Sequence, residues 1–334
     1  MKTKSPIEPQ SVWSEEELLD GKRVSCLTVI LSTPGCSWWK QSGGCNMCGY
    51  NQKASDRSIT GEDILAQFDK AWKSYDNHSI IKVYTSGSFT DVNEIPIAIR
   101  KEILKRVKDS GARMLFESRP EHITQESMQE CVGICPDLQV ALGLESANDR
   151  ILEKSIHKGF TYDDYERAAK AVLAAGATVR TYLLLKPPFL TEEEGINDAL
   201  DSISKAAKYS RVITVNPVNV QRRTTVEKMW KAWAYRPPWL WSVAEVLRRA
   251  DKGDSLLLSS LVGAGSDRGP HNCGSCDADV VAAIDGFNLT QDRKRLDKCD
   301  CGCKDKWKEA LSAEKFAIAP GDHDRFFSRG QPAR

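Results

Sequence analysis

Six short apolar runs, most of them rich in β-branched residues, recur between residues 24 and 218: 24–31, 80–85, 113–117, 138–144, 178–185 and 212–218. Helix-like stretches at 62–75, 94–108, 162–175 and 191–209 fall between them. Apolar runs joined by segments of this length read as parallel strands with helical crossovers. Six such units are too few for a closed eight-fold barrel. The expected fold is therefore α/β, a partial (β/α)6 barrel over residues 24–223, with a doubly wound sheet as the rival. Residues 1–23 read as an N-terminal extension. Residues 224–310 read as a Trp-rich segment followed by a Cys-rich module, and 311–334 as a poorly ordered tail.

In either fold, chemistry gathers beyond the carboxyl ends of the strands. The segments following the six runs fit that rule, because each is polar or glycine-bearing. The first holds Cys36, Cys45 and Cys48 in a C-x8-C-x2-C pattern. Three thiolates can hold three irons of a four-iron, four-sulfide (4Fe-4S) cluster and leave the fourth iron open to a small chelating cofactor. The alternative is zinc, with Cys26 as a fourth thiolate. Cys26 lies inside the first apolar run, however, and five residues of strand beyond it would carry it ~17 Å from the loop.

Eleven cysteines is a high count, and five of them fall between residues 273 and 303. No apolar run approaches the ~18 residues that a membrane span needs, and the first twenty residues are polar. Clustered cysteines in such a chain point to metal ligands in a reducing cytosol. Cys273-x2-Cys276 followed by Cys299, Cys301 and Cys303 is a zinc pattern. The favoured ligands are Cys273, Cys276, Cys301 and Cys303. Cys299 paired with Cys303 is a close rival, and His271 a distant one. A zinc with four thiolates has no open position and would fold a small module rather than catalyse.

A net charge of +1 excludes a global basic field, so any nucleic-acid binding has to be local. Residues 221–241 supply a candidate, with Arg222 and Arg223 placed for phosphate contact. The interleaved Trp230, Trp233, Trp239 and Trp241 read more as packing than as base-stacking platforms. The histidines form no ligand pattern, and His122 and His157 are expected at the surface.

The motifs together carry a resemblance over about residues 20–307. They are the three-cysteine loop with Trp38 and Trp39, YTSGSFTD at 84–91, LFESRPEHIT at 115–124, VALGLESANDRIL at 140–152, KGFTYDDY at 158–165, and GPHNCGSCD around Cys273. The chain is similar to radical-SAM enzymes of the Elongator-type and methylthiotransferase-type branch. More closely, it resembles the radical-SAM family of archaeosine biosynthesis. The resemblance implies that S-adenosylmethionine (SAM) chelates the open iron and is split on reduction, and that the resulting 5′-deoxyadenosyl radical takes a hydrogen from the substrate. It implies Cys36, Cys45 and Cys48 as cluster ligands and Ser86, Gly87 and Ser88 along the methionine part of SAM. Glu117 and Arg119 would bind its ammonium and carboxylate, with a salt-bridged barrel rim as the alternative for that pair. Ser146 would reach the ribose or carboxylate.

The implied substrate is a tRNA in which a partner subunit has joined lysine to 7-cyano-7-deazaguanine (preQ0) in the D-loop. The implied reaction is lyase cleavage of a C–N bond of that lysine, leaving archaeosine. Two other functions stay open: a different radical-SAM modification of tRNA, and a non-enzymatic RNA-binding protein with two zinc sites.

Overall fold

The computed structural model describes residues 5–50 and 59–317; the tail expected at 311–334 lies outside them from residue 318 onward. Eight strands form one sheet in chain order: β1 (Ser11–Leu19), β2 (Lys22–Ile30), β3 (Ile80–Tyr84), β4 (Arg113–Ser118), β5 (Leu138–Glu145), β6 (Thr178–Leu185), β7 (Ser210–Pro217) and β8 (Leu256–Ser259). β1 runs antiparallel to β2, and every later pair is parallel. All six expected strands are present. The two additional ones were missed for physical reasons. β1 carries charged residues where a half-buried strand would ordinarily be apolar, and β8 has only four residues.

The sheet is a half-barrel, and side chains from distant strands meet across its lumen. Lys82 on β3 reaches Glu15 and Glu17 on β1, each at 2.7 Å. Arg180 on β6 grips both oxygens of the same Glu17 and also donates to Gln139 at 3.1 Å. The hydroxyls of Tyr84 and Tyr182 lie 2.7 Å apart. In a flat sheet β3 and β6 would stand ~14 Å apart, three strand spacings. These contacts therefore rule out the doubly wound alternative. Below the ion pairs, Cys26, Ile80, Leu115 and Ala141 make a small apolar floor.

The outer face is covered by helices. After the short α1 (Ser37–Ser42) come α2 (Gly61–Trp72), α3 (Ile97–Asp109), α4 (Gln125–Ile134), α5 (Tyr162–Ala174) and α6 (Glu192–Ala206). Four of them begin with a threonine capping box: Thr60 with Asp63, Thr124 with Ser127, Thr161 with Asp164, and Thr191 with Glu194. Each box satisfies two backbone donors that the first turn leaves open. Against the sheet they bury Phe68, Ile103, Met128, Tyr165 and Ile203 in one continuous core.

The C-terminal part adds α7 (Thr225–Lys231), α8 (Leu240–Arg249), α9 (Asp277–Asn288) and α10 (Cys303–Ala317). α10 crosses the boundary expected at residue 310. The module is tied to the sheet through polar groups. Buried Glu192 accepts from Lys186, from the Trp239 backbone and from Ser242. At the β8 edge, the Asn288 amide exchanges both hydrogen bonds with Ser259, and the Gln291 amide does the same with Leu257. Side-chain amides thus stand in for a ninth strand and cover an edge that would otherwise invite pairing. Among the described residues no helix is long and apolar enough to cross a membrane.

Glu17 is the junction of the lumen. Burial alone would raise its pKa, but Arg180 and Lys82 hold the carboxyl down at about 2 against an ordinary 4.5. Its stabilising contribution is complete above about pH 4.5 and disappears as pH falls toward 2. Glu17→Gln should cost about 3–5 kcal/mol in urea unfolding at neutral pH, because buried Arg180 is left without its acid and Lys82 keeps only Glu15. The deficit relative to wild type should shrink in unfolding curves taken at progressively lower pH.

Candidate functional site

The carboxyl ends of the strands open into a cavity of about 620 Å³. Cys36, Cys45 and Cys48 line it together, and the loop carrying them is fastened from three directions. Asn46 bonds Ile156 through its backbone and Ser155 through its side chain, both at 2.9 Å. His157 donates Nδ1–H to the Gly44 carbonyl at 2.8 Å, and the Trp38 indole N–H donates to the His157 carbonyl at 2.9 Å. Gly49 donates to the Gln221 side chain at 2.6 Å. The histidines expected at the surface are thus scaffold parts; His122 Nε2 likewise meets Ser37 Oγ at 3.1 Å.

Gly87 sits against the base of this loop. A Cβ there would come within 2.8 Å of Cys36 Cα and 2.6 Å of Glu94. Only glycine lets the residue 86–88 backbone approach so closely. Ser86 and Gly87 line the cavity, while Ser88 is buried behind them and its hydroxyl accepts from the Arg119 backbone N–H at 3.0 Å.

Glu117 and Arg119 both line the cavity, but they do not pair with each other. Arg119 is held by Glu121 at 2.5 Å and by the Lys158 carbonyl at 2.8 Å, and it lies over the rings of Trp38 and Phe160. Glu117 has no ion-pair partner among the described residues. Enclosure in the lumen, with Glu94 nearby, pushes its carboxyl up to about 8 although the Thr85 backbone N–H donates to it. The salt-bridged rim is therefore not what this pair forms. Ser146 is placed elsewhere: it is fully buried and donates to Asp198 at 2.7 Å, and it does not line the cavity.

One buried pair in the cavity was not singled out from the sequence. Lys158 Nζ lies 2.8 Å from Glu145 beside the cysteines. Glu145 has positive φ at a register shift in β5, which turns it into the lumen. Both residues fall in motifs quoted above, but their pairing depends on the chain returning after the 151–156 helical turn.

The cysteine chemistry fits a cluster. Burial raises the Cys45 thiol and pushes Cys48 up to about 12. Such thiols become thiolates when a metal takes the proton's place. Cys26, the fourth ligand of the zinc alternative, lies in the apolar floor and pairs in register with Glu15 and Ile80, away from the loop. The two-zinc reading thereby loses its ligand.

Arg222 and Arg223 are both exposed, next to the cavity-lining Gln221. Three of the tryptophans pack, as expected: Trp230 under Arg268, Trp239 under Arg236, and Trp241 buried with its N–H on Cys303. Trp233 is 96 % exposed.

The second thiol group assembles as expected. The sulfur atoms of Cys273, Cys276, Cys301 and Cys303 all lie within 4.8 Å of one another, with separations of 3.9, 3.8 and 3.6 Å along 273–276, 273–301 and 276–303. Tetrahedral bonds of about 2.3 Å to one ion place sulfurs ~3.8 Å apart. Hydrogen bonds, first from the Ser275 backbone and then from Cys303, pull the Cys273 thiol down to about 6. The Asn272 amide and Trp241 indole donate to Cys276 and Cys303 and brace the set from outside. Cys299 instead faces the Asp279 carbonyl, and His271 the Gly269 carbonyl, so neither rival belongs to the group.

The family model of the Radical SAM superfamily matches residues 30–201. The archaeosine synthase subunit beta of Methanosarcina acetivorans is 41% identical over 317 residues, covering 92% of this chain and 91% of its own. That of Thermococcus kodakarensis is 38% identical over 306 residues, covering 89% and 94%. Among solved structures, Methanocaldococcus infernus Elp3 with an N-terminal deletion shares the fold, with a TM-score of 0.50 at 15% identity over 79% of this chain and 63% of that one.

Cys276→Ala should lose the bound metal and lower the melting temperature, whereas Cys299→Ser should change neither. Metal content per chain alongside thermal melting checks both variants.

Proposed function

The chain belongs to the radical SAM superfamily and to its archaeosine synthase subunit beta family, and from that premise we propose a C–N lyase. It acts on tRNA whose D-loop carries the lysine adduct of 7-cyano-7-deazaguanine, and it releases the lysine remnant to leave archaeosine. The observation that carries this reading is the meeting of Cys36, Cys45 and Cys48 with Gly87, Glu117 and Arg119 in one cavity at the carboxyl ends of the strands. When bound, the 4Fe-4S cluster and SAM supply a radical able to remove hydrogen from an unactivated C–H bond.

The protein's own residues bind, orient and shield. Cys36, Cys45 and Cys48 hold the cluster. The backbone of Ser86 and Gly87 forms a surface without side-chain bulk for the methionine part of SAM. Arg119, already oriented by Glu121 and two aromatic rings, offers its remaining donors to the methionine carboxylate. Glu117 receives the ammonium; a cation there would draw its raised pKa back down and leave it ionised. Trp38 and Phe160 keep water from this side. Ser88 and Ser146 act one layer behind, through Arg119 and Asp198 respectively.

Zinc is the metal proposed for Cys273, Cys276, Cys301 and Cys303, as a structural ion. Arg222 and Arg223 are proposed phosphate contacts beside the cavity mouth. The relatives' designation as a subunit beta supports a second subunit as partner, which we propose is the lysine-transferring one.

Cys45→Ala should keep the fold, since Cys45 lies at the cavity surface, yet abolish SAM cleavage and lower iron after anaerobic reconstitution. Analysis of wild type should return about four irons and four sulfides with one zinc per chain. Retained SAM cleavage in the variant, or zinc without iron in wild type, would remove the assignment.

A further inference from the structure

The tryptophan that does not pack is the one with least local reason to be a tryptophan. Trp233 follows α7 in a Schellman turn: its N–H returns to the Trp230 carbonyl at 3.1 Å, and the Ala234 N–H to the Met229 carbonyl at 2.9 Å. It takes the left-handed position of that turn, with φ +58°, where glycine is the ordinary choice and a bulky side chain is strained. Burial does not compensate. Trp233 is 96% exposed, against 40% at most for the other tryptophans, and its indole has no partner among the described residues. A side chain kept against both its backbone and the solvent points to a contact outside the chain.

The surroundings narrow the chemistry of that contact. Over residues 222–234 the exposed side chains are four cations (Arg222, Arg223, Lys228 and Lys231), two alanines and the indole. Lys228 and Lys231, three apart on α7, share its outer face, while Val226 and Trp230 pack against the core. The one acid of the segment, Glu227, is buried and held by Arg268 at 2.7 Å, with Lys231 at 3.5 Å. The segment is also tied to the site. Gln221 lines the cavity and accepts from Gly49, and the Val226 N–H donates to the Asn46 carbonyl at 3.3 Å, so α7 is fastened to the cysteine loop. At helical rise Trp233 lies ~13 Å along the chain from Thr224.

We propose that Trp233 is a stacking platform for an unpaired base of the tRNA, a neighbour of the modified nucleotide and not the modified base itself, with Lys228 and Lys231 on the flanking phosphates. The inference rests on the tRNA reading and not on the lysine adduct. Proteins read RNA chiefly at single-stranded loops, where splayed bases expose faces that stack on aromatic rings. A ring flanked by cations suits such a strand, since every base has a π-face and every linkage a negative charge. A protein partner would seek an apolar patch poor in charge, and one indole among four cations offers little of that.

The test measures binding of the full chain, with cluster and SAM bound, to the lysine-adduct tRNA and to an unmodified transcript of the same tRNA. Trp233→Gly should melt at or above wild type, because glycine takes the left-handed position without strain and no packing is lost. It should nevertheless bind both tRNAs about tenfold more weakly, the scale of one stacked base. Trp233→Phe should recover most of that affinity. Lys228→Ala should lower the slope of log affinity against log salt by about one, whereas Trp233→Gly should leave the slope unaltered. A purely structural tryptophan would give the reverse pattern, a lower melting temperature with affinity intact. Full tRNA affinity in Trp233→Gly overturns the platform alone, whether or not the variant loses its complex with a second subunit; that loss would make the surface a protein interface. Failure of wild type to bind either tRNA overturns the tRNA reading and the platform with it.

Discussion

The ion pairs of Glu17 with Lys82 and Arg180 hold three non-adjacent strands together across the lumen, and the usable interior of the protein depends on them. A parallel sheet covered by helices on one face must still do something with the other. Here that face curls inward. Its lower part is closed by a few apolar residues and a charged layer, which leaves the upper part hollow. β1 makes this possible by running back antiparallel along β2 and bringing its glutamates over the cations of β3 and β6. With apolar residues at these positions the same sheet would pack its lumen shut.

The cluster loop depends on the same frame at one remove. Within the loop, α1 and a few turn bonds set the local shape, but they do not set its position. Its bonds run to the Ile156 and Ser155 carbonyls, to His157 and to Gln221, which lie more than a hundred residues away along the chain. Gly87 then determines how near the next strand's loop can come. Three cysteines in sequence come to line one space because β3, β5 and β7 deliver the loop's partners to the same end of the half-barrel.

The C-terminal module is continuous with this arrangement. α9 starts at the thiol site, with Cys276 as its N-cap, and ends at the cavity, where Asn288 completes the β8 edge. A metal held by the four thiols therefore anchors the helix that makes one wall of the cavity.

The sequence was enough for the six parallel strands, because continuous β-branched runs buried on both faces have little else they can become. It also singled out both cysteine groups that the structure gathers, since spacing within a short segment survives any tertiary arrangement. Even the choice of Cys301 and Cys303 over Cys299 agreed with the geometry. β1 was hidden by its own function: its charged residues read as a solvated extension until Lys82 and Arg180 were found opposite them. Ser146 was misplaced because adjacency to Glu145 says nothing about which face of the sheet a residue takes at a bulge. The Lys158–Glu145 pair and the meeting of Glu17 with Lys82 and Arg180 were decided by the tertiary structure alone. Each is defined by what lies across a lumen, and distance across a lumen leaves no trace in local pattern.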